Sequence, residues 1–154
     1  LYAVWGDAAA DEVWAAGEHK LIIHLRAGQC DKRYLEAPTS ADVIYSLHRD
    51  SRGTMWIAGD NTLASLSGER WTNIAAGRLL RQVTSSQDGA IWASGLHGLL
   101  VRYDGRTLRE IPTGTTHELH GIVIRGMDLW LTGDFGTILH GCTAAGAGCI
   151  LMPP

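Results

Sequence analysis

Along the whole chain, short apolar runs alternate with turns marked by Gly, Asp and Asn, and no run is longer than a strand. Apolar runs of about 4–8 residues bounded by turn residues are the pattern of β-strands. The runs recur with a period. Trp14, Trp56, Trp92 and Trp130 are 42, 36 and 38 residues apart, and each is followed three positions later by a glycine: Gly17, Gly59, Gly95 and Gly133. A fixed interval of this length is the mark of a repeat architecture.

Aligned on these tryptophans, the copies run without a gap through Leu21, Leu63, Leu99 and Thr137, with Lys20, Thr62, Gly98 and Gly136 just before. Upstream, Val4, Leu47, Val83 and Ile122 stand ten, nine, nine and eight residues before their tryptophans. The turns between vary in length: 7–11, 50–53, 88–89 and 125–128. Each copy therefore reads as four strands. First strands are expected at 1–5, 43–48, 79–84 and 119–124, and second strands around the tryptophans. Third strands are expected at 21–26, 63–67, 99–103 and 137–140, and fourth strands at 32–36, 70–74, 107–111 and 149–152.

Four antiparallel strands per unit make a blade, so the expected fold is an all-β propeller array of four blades, at about 1–37, 38–76, 77–113 and 114–154. Each tryptophan is expected to fill the wedge between blades, burying roughly 150–250 Å². The glycine three residues on answers a need for positive φ or for close backbone approach. A β-sandwich does not require such a period, and a parallel β-helix repeats at shorter intervals.

The stretch Asp50-Ser51-Arg52-Gly53-Thr54-Met55-Trp56-Ile57-Ala58-Gly59 resembles the two-component regulator propeller repeat, and Ser86-Gln87-Asp88-Gly89-Ala90-Ile91-Trp92-Ala93-Ser94-Gly95 is similar. The first and last copies, with Val4-Trp5-Gly6-Asp7 leading to Val13-Trp14-Ala15-Ala16-Gly17 and with Gly133-Asp134-Phe135-Gly136-Thr137-Ile138-Leu139-His140, resemble the WxxG propellers of secreted bacterial proteins. The resemblance implies a propeller used as a sensor, an adhesion or scaffold module, or in some cases an enzyme. A sialidase Asp-box does not fit, because Gly89 directly follows Asp88 and Ile91 stands where that motif has Thr.

Composition narrows the partners. The 154 residues carry 13 Lys plus Arg against 16 Asp plus Glu, a formal charge of -3, so no basic footprint for nucleic acid is present. No apolar run approaches the roughly 20 residues of a membrane-spanning helix. The chain opens inside an apolar run, without an initiator methionine or a basic-then-apolar export signal, and is expected to be a processed product or an excised piece. Cys142 and Cys149 bracket a small flexible stretch suited to hairpin closure, and a disulfide between them would place the protein in an oxidising, extracytoplasmic space, periplasmic or secreted. Cys30 is then a free thiol or pairs outside the chain.

In propellers the turns between second and third strands emerge on one face together with the blade connections. That face would gather Glu18, His19, Asp60, Asn61, His97, Asp134 and Phe135 with the connections at 39–40, 77–78 and 113–118, and it is the expected binding surface for a protein or glycan ligand. The seven histidines are mostly repeat positions: His19 and His97 share a column with Asn61 and Phe135, and His24 and His140 share one with Arg102 and Leu66. Duplicated residues are explained by blade structure, so no metal site and no cofactor are expected. For a lyase or hydrolase, the available acid and base groups are His97, His117, Glu118, His120 and Asp134. Streptogramin-lyase-like propellers place a histidine base on such a surface with a metal nearby, but no motif of this chain matches them closely. HExxH, nucleophile-elbow and phosphate-loop motifs are absent.

Two readings of ring closure stay open: four blades closing on themselves, or four blades belonging to a larger ring completed by remaining blades or by self-association. The functional expectation is an extracytoplasmic binding or sensor module, with an enzyme as alternative and an architectural repeat of a surface protein as third reading.

Overall fold

The computed structural model describes residues 1–34, 42–67 and 70–143, and every regular element among them apart from two short 3-10 turns is a strand. The first sheet runs β1 (Ala3–Asp7), β2 (Glu12–Ala16), β3 (Leu21–Arg26) and β4 (Gln29–Tyr34). The second runs β5 (Ile44–Arg49), β6 (Met55–Gly59), β7 (Thr62–Ser67) and β8 (Arg70–Ala76). The third runs β9 (Leu80–Ser85), β10 (Ile91–Gly95), β11 (Leu100–Tyr103) and β12 (Leu108–Glu110). The fourth has β13 (Leu119–Arg125), β14 (Asp128–Gly133) and β15 (Ile138–Cys142) among the described residues. Its expected fourth strand at 149–152 lies outside them. All pairings in the four sheets are antiparallel between chain neighbours, as blades require.

Two expectations need correction. β4 begins at Gln29 rather than 32, because Ala27 (φ 48) and Gly28 (φ 74) form a two-residue turn with both φ positive, which pairs Arg26 directly with Gln29. The gapless alignment also fails in the second copy. Trp14, Trp92 and Trp130 pair with His24, Arg102 and His140, but Trp56 pairs with Ser65. The reason is loop length. Gly59 pairs with Thr62 across the two residues Asp60 and Asn61, whereas Ala16–Ile22, Ser94–Leu100 and Thr132–Ile138 enclose five-residue loops. A one-residue slip exchanges the faces of a strand. Leu66 therefore leaves the His24 column and packs into the core.

The chain divides into two compact units, residues 1–79 and 80–154, each holding two sheets. In the first, Ala3, Ala16 and Ile22 of sheet one meet Ile44, Leu47, Met55, Ile57 and Ala64 of sheet two, with Trp5, Trp14, Leu66 and Trp71 against them. In the second, Trp92 and Leu100 of sheet three meet Ile122, Leu129, Leu131 and Leu139 of sheet four. The tryptophans are not equivalent: Trp56 and Trp92 are buried, Trp14 is half-buried, and Trp130 is 40% exposed, so the expected wedge filling does not extend to the last copy.

The buried indoles are fastened through their N–H groups. Trp56 Nε1 donates to Asp50 Oδ2 at 3.0 Å, and Asp50 Oδ1 also accepts from the backbone N–H groups of Arg52 and Thr54. Trp92 Nε1 donates to Ser86 Oγ at 3.1 Å, and Trp14 Nε1 to Glu12 Oε1 at 3.0 Å. Burial alone would raise the Asp50 pKa, but the Trp56 indole, the two backbone donors and the Arg52 charge outweigh it and hold the carboxyl below its ordinary value. A depressed carboxylate pKa stabilises the fold above the unfolded pKa of about 4, and that stability fades as pH falls through the folded value. Asp50→Asn is therefore expected to cost about 1–2 kcal/mol at pH 7. In urea titrations followed by tryptophan fluorescence, the gap between wild type and variant should narrow progressively as pH falls below the ordinary carboxylate value of about 4 and through the lower folded-state value.

Candidate functional site

The turns between second and third strands share one backbone feature. His19 (φ 55), Asn61 (φ 52), His97 (φ 57) and Phe135 (φ 55) all occupy the left-handed region, and all four are exposed. Such a conformation is uncommon outside glycine and costs a bulky residue about 1–2 kcal/mol. It is followed by a second positive φ at Lys20, Gly98 and Gly136 in the five-residue loops.

The preceding glycines answer to close approach instead. Gly95 and Gly133 are extended (φ -174 and -159), and a Cβ on Gly59 or Gly133 would lie 2.2 or 2.3 Å from the carbonyl of Val43 or Glu118. Those same carbonyls accept from the N–H groups of Asp60 and Asp134, each at 2.9 Å. Glycine thus lets the turn lie against the segment entering the first strand of its own sheet.

In the first unit, Glu18 bridges to Val43 and its carboxylate accepts a 2.8 Å hydrogen bond from the Tyr2 hydroxyl, while the Tyr2 and Tyr45 rings lie 5.8 Å apart. His19 and Asn61 project from their loop tips, and Asp60 is half-buried at the base of its turn. The expected contribution of 39–40 lies outside the described residues.

The second unit holds the densest cluster. The fourth sheet has a β-bulge between Leu119 and Gly121, which leaves His120 unpaired in the ladder and aims its ring at the β14–β15 turn. His120 Nε2 lies 2.7 Å from Asp134 Oδ1. A bulge in the third sheet does the same for Arg81, whose Nε donates to Glu118 Oε1. One ligand atom from each of Glu118, His120 and Asp134 falls within 4.8 Å of the others. Beside them, His117 Nδ1 is 2.7 Å from Thr137 Oγ1, and its ring stands 5.0 Å from that of Phe135, which is 89% exposed.

Within this unit the structure brings together His117, Glu118, His120, Asp134 and Phe135. His97 rides on the neighbouring β10–β11 loop, exposed, with no hydrogen-bond partner for its ring among the described residues. Arg81 was not anticipated from sequence. Two carboxylates and an imidazole are donors that suit a divalent cation, and residue type along the sequence does not reveal their convergence. By contrast His24 and His140 stack on Trp14 and Trp130 at 3.9 and 4.1 Å, which fits the structural role expected of duplicated residues.

No protein-family model and no curated protein matches the chain. Solved structures do. A streptogramin B lyase superposes with a TM-score of 0.71 at 17% identity, covering 95% of this chain and 55% of its own. A catalytically inactive virginiamycin B lyase from Staphylococcus aureus, solved with quinupristin, gives 0.72 at 13% identity, over 82% of this chain and 46% of its own. The extracellular domain of a one-component system from B. thetaiotaomicron gives 0.75 at 16% identity, over 98% of this chain and 22% of its own. The chain thus spans about half or less of the length of these proteins, and the likeness establishes a propeller-type all-β fold.

Gly98 and Gly136, the positive-φ glycines of the β10–β11 and β14–β15 loops, separate space from strain. A Cβ on Gly98 would meet the Thr115 carbonyl at 1.9 Å, whereas Gly136 has nothing within 4 Å. Gly136→Ala is expected to cost about 1 kcal/mol, the left-handed strain alone. Gly98→Ala should cost about 3 kcal/mol or more, because the 113–115 backbone must move as well. Thermal melts of the two variants, side by side, check the difference.

Proposed function

We propose that the chain is an extracytoplasmic recognition module that binds a protein or glycan ligand through its second-to-third-strand turns. The contact centre is His117, Glu118, His120, Asp134 and Phe135, with Glu18, His19, Asp60, Asn61 and His97 on the corresponding turns. The observation that carries this reading is Phe135: a phenyl ring almost wholly in solvent, held in a backbone conformation that glycine adopts at lower cost, flanked by an imidazole and beside a polar cluster. An aromatic face ringed by hydrogen-bonding groups suits a sugar ring or a peptide side chain. The extracellular sensor domain among the structural neighbours supports the location and the role. Peptide and glycan arrays probed with wild type, Phe135→Ala and His120→Ala test it. The expected result is a ligand whose affinity falls at least about tenfold, or about 1.4 kcal/mol, in both variants. Ligands bound equally by all three proteins would refute the assignment of the site.

A second reading, a lyase, is favoured by the Glu118–His120–Asp134 convergence and by the two lyases among the neighbours. His120, oriented by Asp134, is placed to take a proton from a substrate carbon or heteroatom, and Arg81 orients Glu118. Were a divalent cation held by Glu118, His120 and Asp134 instead, His120 would be a ligand rather than a base, and the cation would supply positive charge for a developing oxyanion. Incubation with quinupristin and a divalent cation, followed by chromatography, tests this reading. Consumption that stops with His120→Ala supports it, and an unchanged substrate excludes this one.

The oxidising location predicts the bridge between Cys142 and Cys149, of which Cys149 lies outside the described residues. Under denaturing conditions without reductant, a thiol titration should then find one thiol, Cys30, and all three only after reduction. Three thiols in protein prepared under air would remove the bridge from the proposal.

A further inference from the structure

The residue skipped at a first-strand bulge takes two different aims in this molecule. In the second sheet it is Tyr45, whose ring lies 5.8 Å from that of Tyr2, just before β1. In the fourth sheet it is His120, whose ring turns to Asp134 on the β14–β15 turn of its own sheet. The bulge has the same place in both ladders, between the pair made at Gly59 or Gly133 and the pair made at Ala58 or Thr132. A bulge thus frees the side chain, and something beside it settles the aim.

What differs is the first strand of the neighbouring sheet. In the columns aligned on Val4, Leu47, Val83 and Ile122, the residue just before is Ala3, Ser46, Gln82 or Gly121, and the one before that is Tyr2, Tyr45, Arg81 or His120. Where the first and second sheets meet, Ala3 is buried in their shared core and has no polar side-chain atom, and Val43 stands at the position that Glu118 holds in the fourth copy. Where the third and fourth sheets meet, both places are polar. Arg81 Nε donates to Glu118 Oε1, and Gln82 Oε1 accepts from the Ile122 N–H at 2.8 Å. β13 is an edge strand of its sheet, so an N–H of Ile122 turned away from β14 has no ladder partner there, and Gln82 supplies the acceptor. Gly121 suits this grip, because a Cβ on it would lie 3.8 Å from Gln82 Oε1 and crowd Thr132 Oγ1 at 2.3 Å.

We propose that Gln82 is a positioning residue of the His120 site: with Arg81 it pins the stretch 118–122 at both ends, and the pinned stretch aims the skipped ring at Asp134. Arg81 holds the start of the stretch at Glu118, and Gln82 holds its end at Ile122. Stacking of the sheets does not itself demand the pair, because the first unit stacks its two sheets over Ala3. The pair belongs to the place where the cluster stands. This inference rests on the reading of that cluster as the working site.

Nuclear magnetic resonance of the histidine rings in the whole chain tests it, with His120→Ala identifying the His120 signals among those of the seven histidines. A carboxylate only accepts, so Nε2 carries a proton while the ring stays on Asp134. Asp134→Ala supplies the spectrum of a ring released from it. In Gln82→Leu the His120 signals should move toward those of Asp134→Ala, and the Ile122 amide should exchange at least about tenfold faster. Gln82→Glu keeps an oxygen for the same N–H and should hold both near their wild-type values. Near-ultraviolet circular dichroism checks the folding of each variant, and Gln82→Met takes the place of a leucine variant that fails this control. His120 signals unmoved in the folded variant overturn the proposal, and so do signals that move equally in Gln82→Glu. No ligand enters the measurement. A cluster that binds nothing on the arrays would remove the working site and leave these spectra as expected, so the two failures are told apart.

Discussion

An indole buried in a stack of sheets brings one N–H that has lost its water, and leaving such a donor unpaired costs about 1–3 kcal/mol. The chain meets this cost with one side chain for each of Trp14, Trp56 and Trp92. Asp50 and Ser86, each six residues before its tryptophan, accept the indole N–H and also bind backbone groups of the turn between first and second strands. Turn and ring are thereby fixed to each other, so the sequence of the turn decides how the tryptophan is presented to the next sheet. In the first copy the acceptor moves to Glu12, whose second oxygen takes Arg49 from the second sheet. The same requirement thus becomes a link between two sheets of one unit.

From that fixed hairpin the polar cluster follows. The first strand pairs with the tryptophan strand by residues aligned on Leu47, Val83 and Ile122, and near its start the pairing shifts at a bulge. The residue that the ladder skips is Tyr45, Arg81 or His120. A regular strand would place these side chains on alternate faces of the sheet, but the bulge re-aims them. Arg81 reaches Glu118, and His120 reaches Asp134 on the adjacent turn. Precision at the cluster therefore rests on a local irregularity held between two regular ladders.

The tryptophan rhythm was enough to locate fifteen strands to within a few residues, because strand period and turn residues are local properties. Register in the second copy was not legible: Asp60 and Asn61 fit a two-residue or a five-residue turn equally well in composition, and only the ladder shows that Trp56 faces Ser65. The cluster was legible in part. His117, Glu118, His120 and Asp134 stood out by residue type, but their convergence depends on a bulge, which leaves no periodic trace. Arg81 was missed although a signal existed. Tyr2, Tyr45, Arg81 and His120 each stand two residues before Val4, Leu47, Val83 and Ile122, a column of large polar or aromatic side chains where strand alternation calls for core residues.

The left-handed column bears on what kind of surface this is. In three loops a second positive φ follows the first, and in two of them that second place is glycine, at Gly98 and Gly136. The first place is never glycine: it is His, Asn, His or Phe. Asn and His enter the left-handed region with modest strain, whereas phenylalanine does so only when the surrounding structure enforces it. Burial does not compensate Phe135, since its ring lies in solvent, and contact with His117 recovers only a fraction of the strain. Folding alone would favour glycine there. Each of these side chains is held at a turn tip between paired strands, which is the placement that the proposed contact role requires. Preorganisation lowers the entropy that a ligand must overcome on binding.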